Sequence, residues 1–216
     1  GAGIPQGGPA AAKPTEVTVH EGTSYSVTVS PDGRSIAMDL QGSIWIVPAG
    51  GGTAQVLTKL NQDQGEFSHR WPQILPGGEA VLFTIRTGQG DSVAVLSRET
   101  GEIQTLIENG LQGRYVSTGH LVYAQAGQLL AVPFDLGRLE VSGDPVPLVE
   151  DVPNEQFSVS NDGTLLYPSG LPVSDPETEL LWVDRRGEAR RLSETSGRYS
   201  ESRLSPDGRR LVFSIL

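Results

Sequence analysis

One short turn recurs five times along this chain, and that recurrence limits what it can fold into more than any other feature. Ser30-Pro31-Asp32-Gly33 returns unchanged as Ser205-Pro206-Asp207-Gly208. Ser160-Asn161-Asp162-Gly163 and Leu75-Pro76-Gly77-Gly78 are degenerate copies, and Ser117-Thr118-Gly119 is a shortened one. The last glycines fall at 33, 78, 119, 163 and 208, so the spacings are 45, 41, 44 and 45 residues. A fixed period of this length means one supersecondary unit copied in an array. An apolar run follows each turn: Ile36-Ala37-Met38, Val81-Leu82-Phe83, Leu121-Val122-Tyr123, Leu165-Leu166-Tyr167 and Leu211-Val212-Phe213. In the first four units a second run comes next: Ile44 to Val47, Val93 to Leu96, Leu129 to Val132 and Leu180 to Val183. A polar-alternating run then closes the unit, as in Ala54-Gln55-Val56-Leu57 and Ile103-Gln104-Thr105-Leu106.

Such runs, β-branched or aromatic and bounded by Asp-Gly or Gly-Gly, read as strands joined by hairpins. No window of eleven residues or more carries a helical period, so almost no helix is expected. The 27 glycines and 15 prolines suit a chain with many tight turns and disfavour a helical bundle. Inner runs that are apolar on both faces need a covering on both sides, which stacked neighbours supply. A period of ~40–50 residues with four strands is that of a propeller blade. The expected fold is therefore an all-β β-propeller of four-stranded antiparallel blades, four full ones and a partial fifth.

The units span about 24–58, 70–108, 114–150 and 156–193, and the partial fifth spans 199–216. Residues 16–20 (Glu16-Val17-Thr18-Val19-His20) look like a fourth strand without a blade and can join that fifth unit. The chain then reads either as a five-bladed ring latched by its N-terminal strand or as part of a larger propeller. Residues 1–14 are mostly Gly, Pro and Ala and read as a flexible tether before a propeller at 15–216. On either reading Leu211 to Leu216 is a hydrophobic strand with an uncovered edge, and self-association through it is expected.

Composition narrows the function. Sixteen Lys and Arg against 26 Asp and Glu give a net charge of −10, which disfavours nucleic acid. The chain has no cysteine, so disulfide and thiolate chemistry are out, and no apolar run is long enough to span a membrane. The nucleophile-elbow, phosphate-loop, dinucleotide, kinase and zinc-protease motifs are all missing. His20, His69 and His120 occupy different places in their units, an edge strand, a loop and a turn, so no metal cluster and no cofactor is expected. Asp32, Asp162 and Asp207 belong to the repeated turn, where a carboxylate accepts backbone N–H bonds. Trp45 and Trp182 fall in third strands and read as packing residues, while Arg185-Arg186, Arg190-Arg191 and Arg209-Arg210 read as solvated hairpin positions.

The candidate site comes from geometry. Innermost strands begin beside the central channel, so residues just ahead of each turn are expected at its mouth. These are Tyr25 with Ser26, Arg70 with Trp71, Glu155 with Gln156, and Tyr199, Ser200 and Glu201. The shortened third unit offers Arg114 and Tyr115. The mixture of Arg, Glu, Tyr and Trp suits a polar ligand or a peptide. The same residues also suit an inter-blade packing and ion-pair ring.

The stretch Ser30 to Thr58, with SPDG, IAM, IWIVP, GGG and AQVLT, resembles the TolB-like bacterial β-propeller repeat, a relative of the WD repeat. Tyr25 to Gly33 after Glu21-Gly22-Thr23 is similar to propellers fused to some secreted amidohydrolases. HRWPQILPGG from His69, LLAVPFDLGRLEVSGDPVPLVEDV, FSVSNDGTLLY and LLWVDRRGEARRL are similar to propellers that follow bacterial membrane-anchored Ser/Thr kinases. The resemblance covers about 16–216. It implies a non-catalytic, periplasmic or otherwise extracytoplasmic module that docks a protein or small ligand at the channel mouth. Alternatively, it implies an accessory propeller gating a hydrolase of amidohydrolase or prolyl-oligopeptidase type whose catalytic domain is separate.

Overall fold

The computed structural model describes residues 26–152, 156–160, 163–169, 179–183, 188–192, 199–205 and 209–215. The expected tether and the run at 16–20 lie outside the described residues, and so does the latch they would form. Five antiparallel sheets follow one another along the chain. The first holds β1 (Val27–Val29), β2 (Ser35–Leu40), β3 (Ser43–Pro48) and β4 (Gln55–Val56). The second holds β5 (Glu66–Ile74), β6 (Ala80–Thr87), β7 (Gly90–Ser97) and β8 (Ile103–Glu108). The third holds β9 (Leu111–Val116), β10 (His120–Gln125), β11 (Gln128–Asp135), β12 (Glu140–Val141) and β13 (Val146–Val149). The fourth holds β14 (Ser158–Val159), β15 (Leu165–Ser169), β16 (Glu179–Val183) and β17 (Ala189–Arg191). The fifth pairs β18 (Tyr199–Leu204) with β19 (Leu211–Ile215). The one helical element among the described residues is a single 3-10 turn at Gln62–Gln64.

Period-two alternation explains how the sheets stack. In β7, Ala94 and Leu96 face the first sheet and pack with Ala37, Ile44 and Ile46. Their neighbours Val93 and Val95 face the third sheet and pack with Leu121, Tyr123, Val132 and Phe134. A run of four apolar residues is thus buried on both faces because each face meets another sheet. Val116, Val122 and Leu129 repeat the arrangement against Leu165 of the fourth sheet and Phe157 just ahead of it. Each first strand lies against the next sheet's first strand at the first, second and fourth junctions, so these strands line the inside of the array.

The repeated turn is the corner between first and second strands. The N–H of Gly33, Gly78, Gly119 and Gly163 is donated to the carbonyl three residues earlier at 2.9, 3.0, 3.0 and 3.0 Å. These glycines sit at φ of 72°, 77°, 80° and 86°, the left-handed region where a Cβ is strained. The Ser30, Ser160 and Ser205 hydroxyls accept the N–H of Ser35, Thr164 and Arg210, at or one residue ahead of the start of the second strand, at 2.9, 3.0 and 2.9 Å. Asp32 accepts from the Ser30 hydroxyl at 2.6 Å and from the Arg34 N–H at 3.0 Å. Those bonds, the hydroxyl's first, hold its carboxyl below the usual carboxylate range.

Three features depart from expectation. The second sheet opens at Glu66 rather than 70, so His69 lies in a strand and not in a loop. The third opens at Leu111 rather than 114, because the connection from β8 to β9 shrinks to Asn109-Gly110. A Cβ on Gly110 would stand 2.8 Å from Ile107 Cγ2 and 3.2 Å from the Tyr123 ring, so the short connection requires glycine. The outer edge of the third sheet is also split: β12 pairs with β11 at Phe134 and Asp135, and β13 pairs with it at Leu129 to Ala131.

Candidate binding site

The first strands of the second and third sheets each carry a bulge. Pairing of β5 with β6 shifts between Arg70 and Gln73, and pairing of β9 with β10 shifts between the partners of Val122 and Ala124. The residue at the bulge has a left-handed backbone in both cases, Trp71 at φ 53° and Gln112 at φ 55°. A bulge turns an N–H out of the ladder, and each freed N–H finds an acceptor on the preceding sheet. Trp71 N donates to Asp39 Oδ2 at 3.0 Å, and Gln112 N donates to Thr84 Oγ1 at 3.0 Å.

Asp39 is the centre of the first of these contacts. It lies in β2, is 2% exposed, and also accepts from Ser26 N at 2.6 Å and Ser26 Oγ at 3.2 Å. Arg70 Nε donates to Asp39 Oδ2 at 3.2 Å, and its guanidinium lies 5.2 Å from the Trp71 ring centroid. Arg114 reaches back from the third sheet and donates to the carbonyls of Trp71 and Pro72 at 2.9 and 3.3 Å. Gln73 bridges the same two strands, donating to Tyr115 O at 3.1 Å and accepting from Tyr115 N at 2.7 Å. Gln112 carries the series onward to Phe157 O at 3.2 Å, and Ser158 Oγ accepts from Leu204 N at 3.0 Å. Hydrogen bonds to side chains on or beside the first strands therefore run from the first sheet to the fifth.

Arg70, Trp71 and Arg114 come together, and all three are partly exposed. They meet at a bulge within β5 rather than just ahead of that strand. Tyr115 does not join them: its ring packs edge-on against Phe134, centroids 6.0 Å apart, beside the core between the second and third sheets. Tyr199 and Glu201 belong to β18, with Glu201 inside the register shift between Ser200 and Arg203. Tyr25 and Glu155 lie outside the described residues. Sequence reasoning missed Asp39, Thr84, Gln73 and Gln112. The available signal was a polar residue six positions past the corner glycine, Asp39 after Gly33 and Thr84 after Gly78, ending an otherwise apolar run.

A second polar group has the connectivity of a hydroxyl, imidazole and carboxylate series. Thr58 Oγ1 lies 2.8 Å from His69 Nδ1, and His69 Nε2 lies 3.1 Å from Glu66 Oε2. Thr58 and His69 are 1% and 0% exposed, and Thr58 Oγ1 already accepts the Ile44 N–H at 2.9 Å. No substrate reaches a hydroxyl so placed. The series instead fastens the connection between the first two sheets, and the bonds are satisfied if His69 is neutral, Nε2–H donating to Glu66 and Nδ1 accepting from Thr58. Burial pushes the imidazole below its ordinary value, although the Glu66 carboxylate pulls the other way.

Sheets of four strands in chain order, stacked face to face with their first strands inward, define a β-propeller, here with a two-stranded fifth sheet among the described residues. No family model matches the chain, and no curated protein matches it. Solved structures do. TolB from Acinetobacter baumannii superposes with a TM-score of 0.66 at 19% identity, over 87% of this chain and 48% of that one. A putative TolB from Agrobacterium tumefaciens gives 0.66 at 17% identity, over 87% and 73%. The β-propeller domain of the Trilobed protease from Pyrococcus furiosus, described as having an open velcro topology, gives 0.52 at 14% identity, over 89% and 64%. The chain thus has the TolB-like β-propeller fold and spans about half the length of the Acinetobacter protein. Among the described residues no helix is long and apolar enough to cross a membrane.

Proposed function

We propose that the chain is a non-catalytic binding module, working outside the cytoplasm, that docks a protein or peptide on the inner side of its first strands. The observation that carries this reading is the Trp71 bulge, which gathers an indole and two guanidiniums from adjacent sheets at one partly exposed place. Trp and Arg are the residue types that dominate binding energy where proteins meet. The extracytoplasmic setting follows from the resemblance to propellers attached to signalling kinases and secreted enzymes. The test is a display screen of unbiased peptides against the whole chain. Selected binders should weaken at least tenfold in W71A, with R70Q and R114Q each weakening them less. Binders indifferent to all three substitutions overturn the site, and turnover of an ester or amide panel by the chain alone overturns the non-catalytic reading.

A second reading is favoured by the likeness to the Trilobed protease domain. Here the propeller is the accessory of a hydrolase whose catalytic domain is separate, and it gates substrate entry. The two readings part on partner choice: a module of this second kind binds a hydrolase domain supplied in trans and shows no preference among peptides.

A further inference from the structure

Between Arg70 and Gln73 the pairing of β5 with β6 breaks, so Trp71 and Pro72 together stand where β6 offers only Phe83. Proline has no N–H. The bulge therefore has one N–H to place, that of Trp71. Trp71 is a bulky residue at φ 53°, a backbone that such side chains rarely adopt, and it is held from two sides. Its N–H is donated to Asp39 of the first sheet at 3.0 Å, and its carbonyl accepts from Arg114 of the third at 2.9 Å. Asp39 Oδ2 also accepts the Arg70 Nε–H at 3.2 Å. One carboxylate thus fixes both the backbone that carries the indole and the guanidinium beside it. At 2% exposure, Asp39 lies beyond the reach of a ligand docked on the surface.

We propose that Asp39 is the positioning residue of the Trp71 site, presetting the indole and the Arg70 guanidinium in the arrangement that a ligand meets; the role rests on the reading of Trp71 as the docking place. A ligand that needs a preset arrangement binds in proportion to the fraction of chains that hold it. Loosening Asp39 therefore lowers affinity without removing any contact to the ligand. The group must be a carboxylate, because both oxygens are in use: Oδ1 accepts from Ser26 N, and Oδ2 from Ser26 Oγ, Arg70 Nε and Trp71 N. An asparagine offers one oxygen and one NH2, so donors on one side would face a donor. The equivalent position in the second sheet shows the neutral solution, Thr84, whose hydroxyl accepts the Gln112 N–H at 3.0 Å.

The test uses the whole chain labelled with fluorotryptophan. Its three tryptophans give three fluorine resonances, and W71F identifies that of Trp71. In D39N the Trp71 resonance should move or split while that of Trp182 stays. Peptides selected on the parent chain should bind D39N at least tenfold more weakly, with the loss in the association rate and the dissociation rate within twofold of the parent. V95A loosens the core between the second and third sheets and should bind the same peptides within twofold, which separates positioning from a general loss of stability. D39T supplies a hydroxyl of the Thr84 kind and serves if D39N does not fold. It should bind at least threefold more weakly, because one hydroxyl cannot replace the carboxylate on Arg70. A Trp71 resonance unmoved in D39N, an affinity unchanged in D39N or D39T, or an equal loss in V95A overturns the proposal. Peptides that W71A does not weaken overturn the docking reading instead, and the Trp71 resonance alone then decides whether Asp39 holds the indole.

Discussion

The first and second junctions of the array use the same backbone device with different chemistry. At each, a left-handed residue in the inner strand gives its N–H to a side chain on the preceding sheet. At the first junction that acceptor is a buried carboxylate with an arginine beside it, and the connection between sheets is fastened by Thr58, His69 and Glu66. At the second the acceptor is a neutral hydroxyl, the connection is Asn109-Gly110, and Gly113 lets β9 lie close against Val93. The repeat therefore preserves a backbone geometry and leaves each junction to fill it. Both are packed and hydrogen-bonded, but the first adds a buried charge pair and the second a close approach at glycine.

Removing the acceptors should affect the two junctions unequally. Asp39→Ala leaves the Ser26 and Trp71 N–H groups and the Arg70 side chain without their shared carboxylate in a nearly dry place. Breaking a buried charge pair by removing one partner costs about 3–5 kcal/mol. Because Arg70 is 23% exposed, a loss of about 3 kcal/mol is expected. Thr84→Val keeps the shape and removes one acceptor, for about 1–2 kcal/mol. Urea unfolding of both variants measures the difference, and equal losses would erase the distinction between charged and neutral junctions.

The packing side is tested by Gly113→Ala. The added Cβ would stand 2.5 Å from Val93 Cγ1 and 3.2 Å from Cγ2, with Leu82 Cδ2 at 3.4 Å. Overpacking of this kind costs about 1–3 kcal/mol, and V93A should recover part of it in the double variant because the clash is removed. Additive losses in that cycle would show that the second junction is not limited by close approach.

The corners and the apolar runs were legible because Asp-Gly turns and period-two burial leave marks in residue type. The bulges were not. Trp71 and Gln112 are not residues that favour a left-handed backbone, and what stabilises it, an acceptor on another sheet, is far away in sequence. His69 reads as a loop residue in the sequence, whereas in the fold it lies in β5, where Thr58 and Glu66 satisfy its ring. The shortened turn Ser117-Thr118-Gly119 points to Arg114 as the start of the third unit. The shortening lies chiefly in the connection ahead of β9, and the residue equivalent to Trp71 is Gln112. Arg70 and Trp71 are neighbours in sequence, whereas the buried carboxylate that holds both, Asp39, lies more than thirty residues away.

The finest difference between the junctions is in their response to acid, because among the described residues only the first has a buried histidine. His69 keeps its neutral form in the folded chain, so its folded value is below the ordinary 6.5 that it regains on unfolding. The unfolded chain therefore binds the extra proton in the interval between those two values, and stability must fall as pH descends through it. The contribution is fully present above about 6.5 and is lost progressively towards the folded value, below which the slope vanishes. The Asp32 corner follows later, because its lowered carboxyl loses its stabilising bonds only when pH falls below the ordinary 3.8 towards its own folded value. Unfolding free energies measured from pH 7.5 down to pH 5 should decline in the parent and be flatter in H69Q, whose amide does not titrate. T84V, at the neutral junction, should keep the parent's slope while starting lower. A parent curve that is flat across that interval, or an H69Q curve parallel to it, would show that the first junction is no more acid-sensitive than the second.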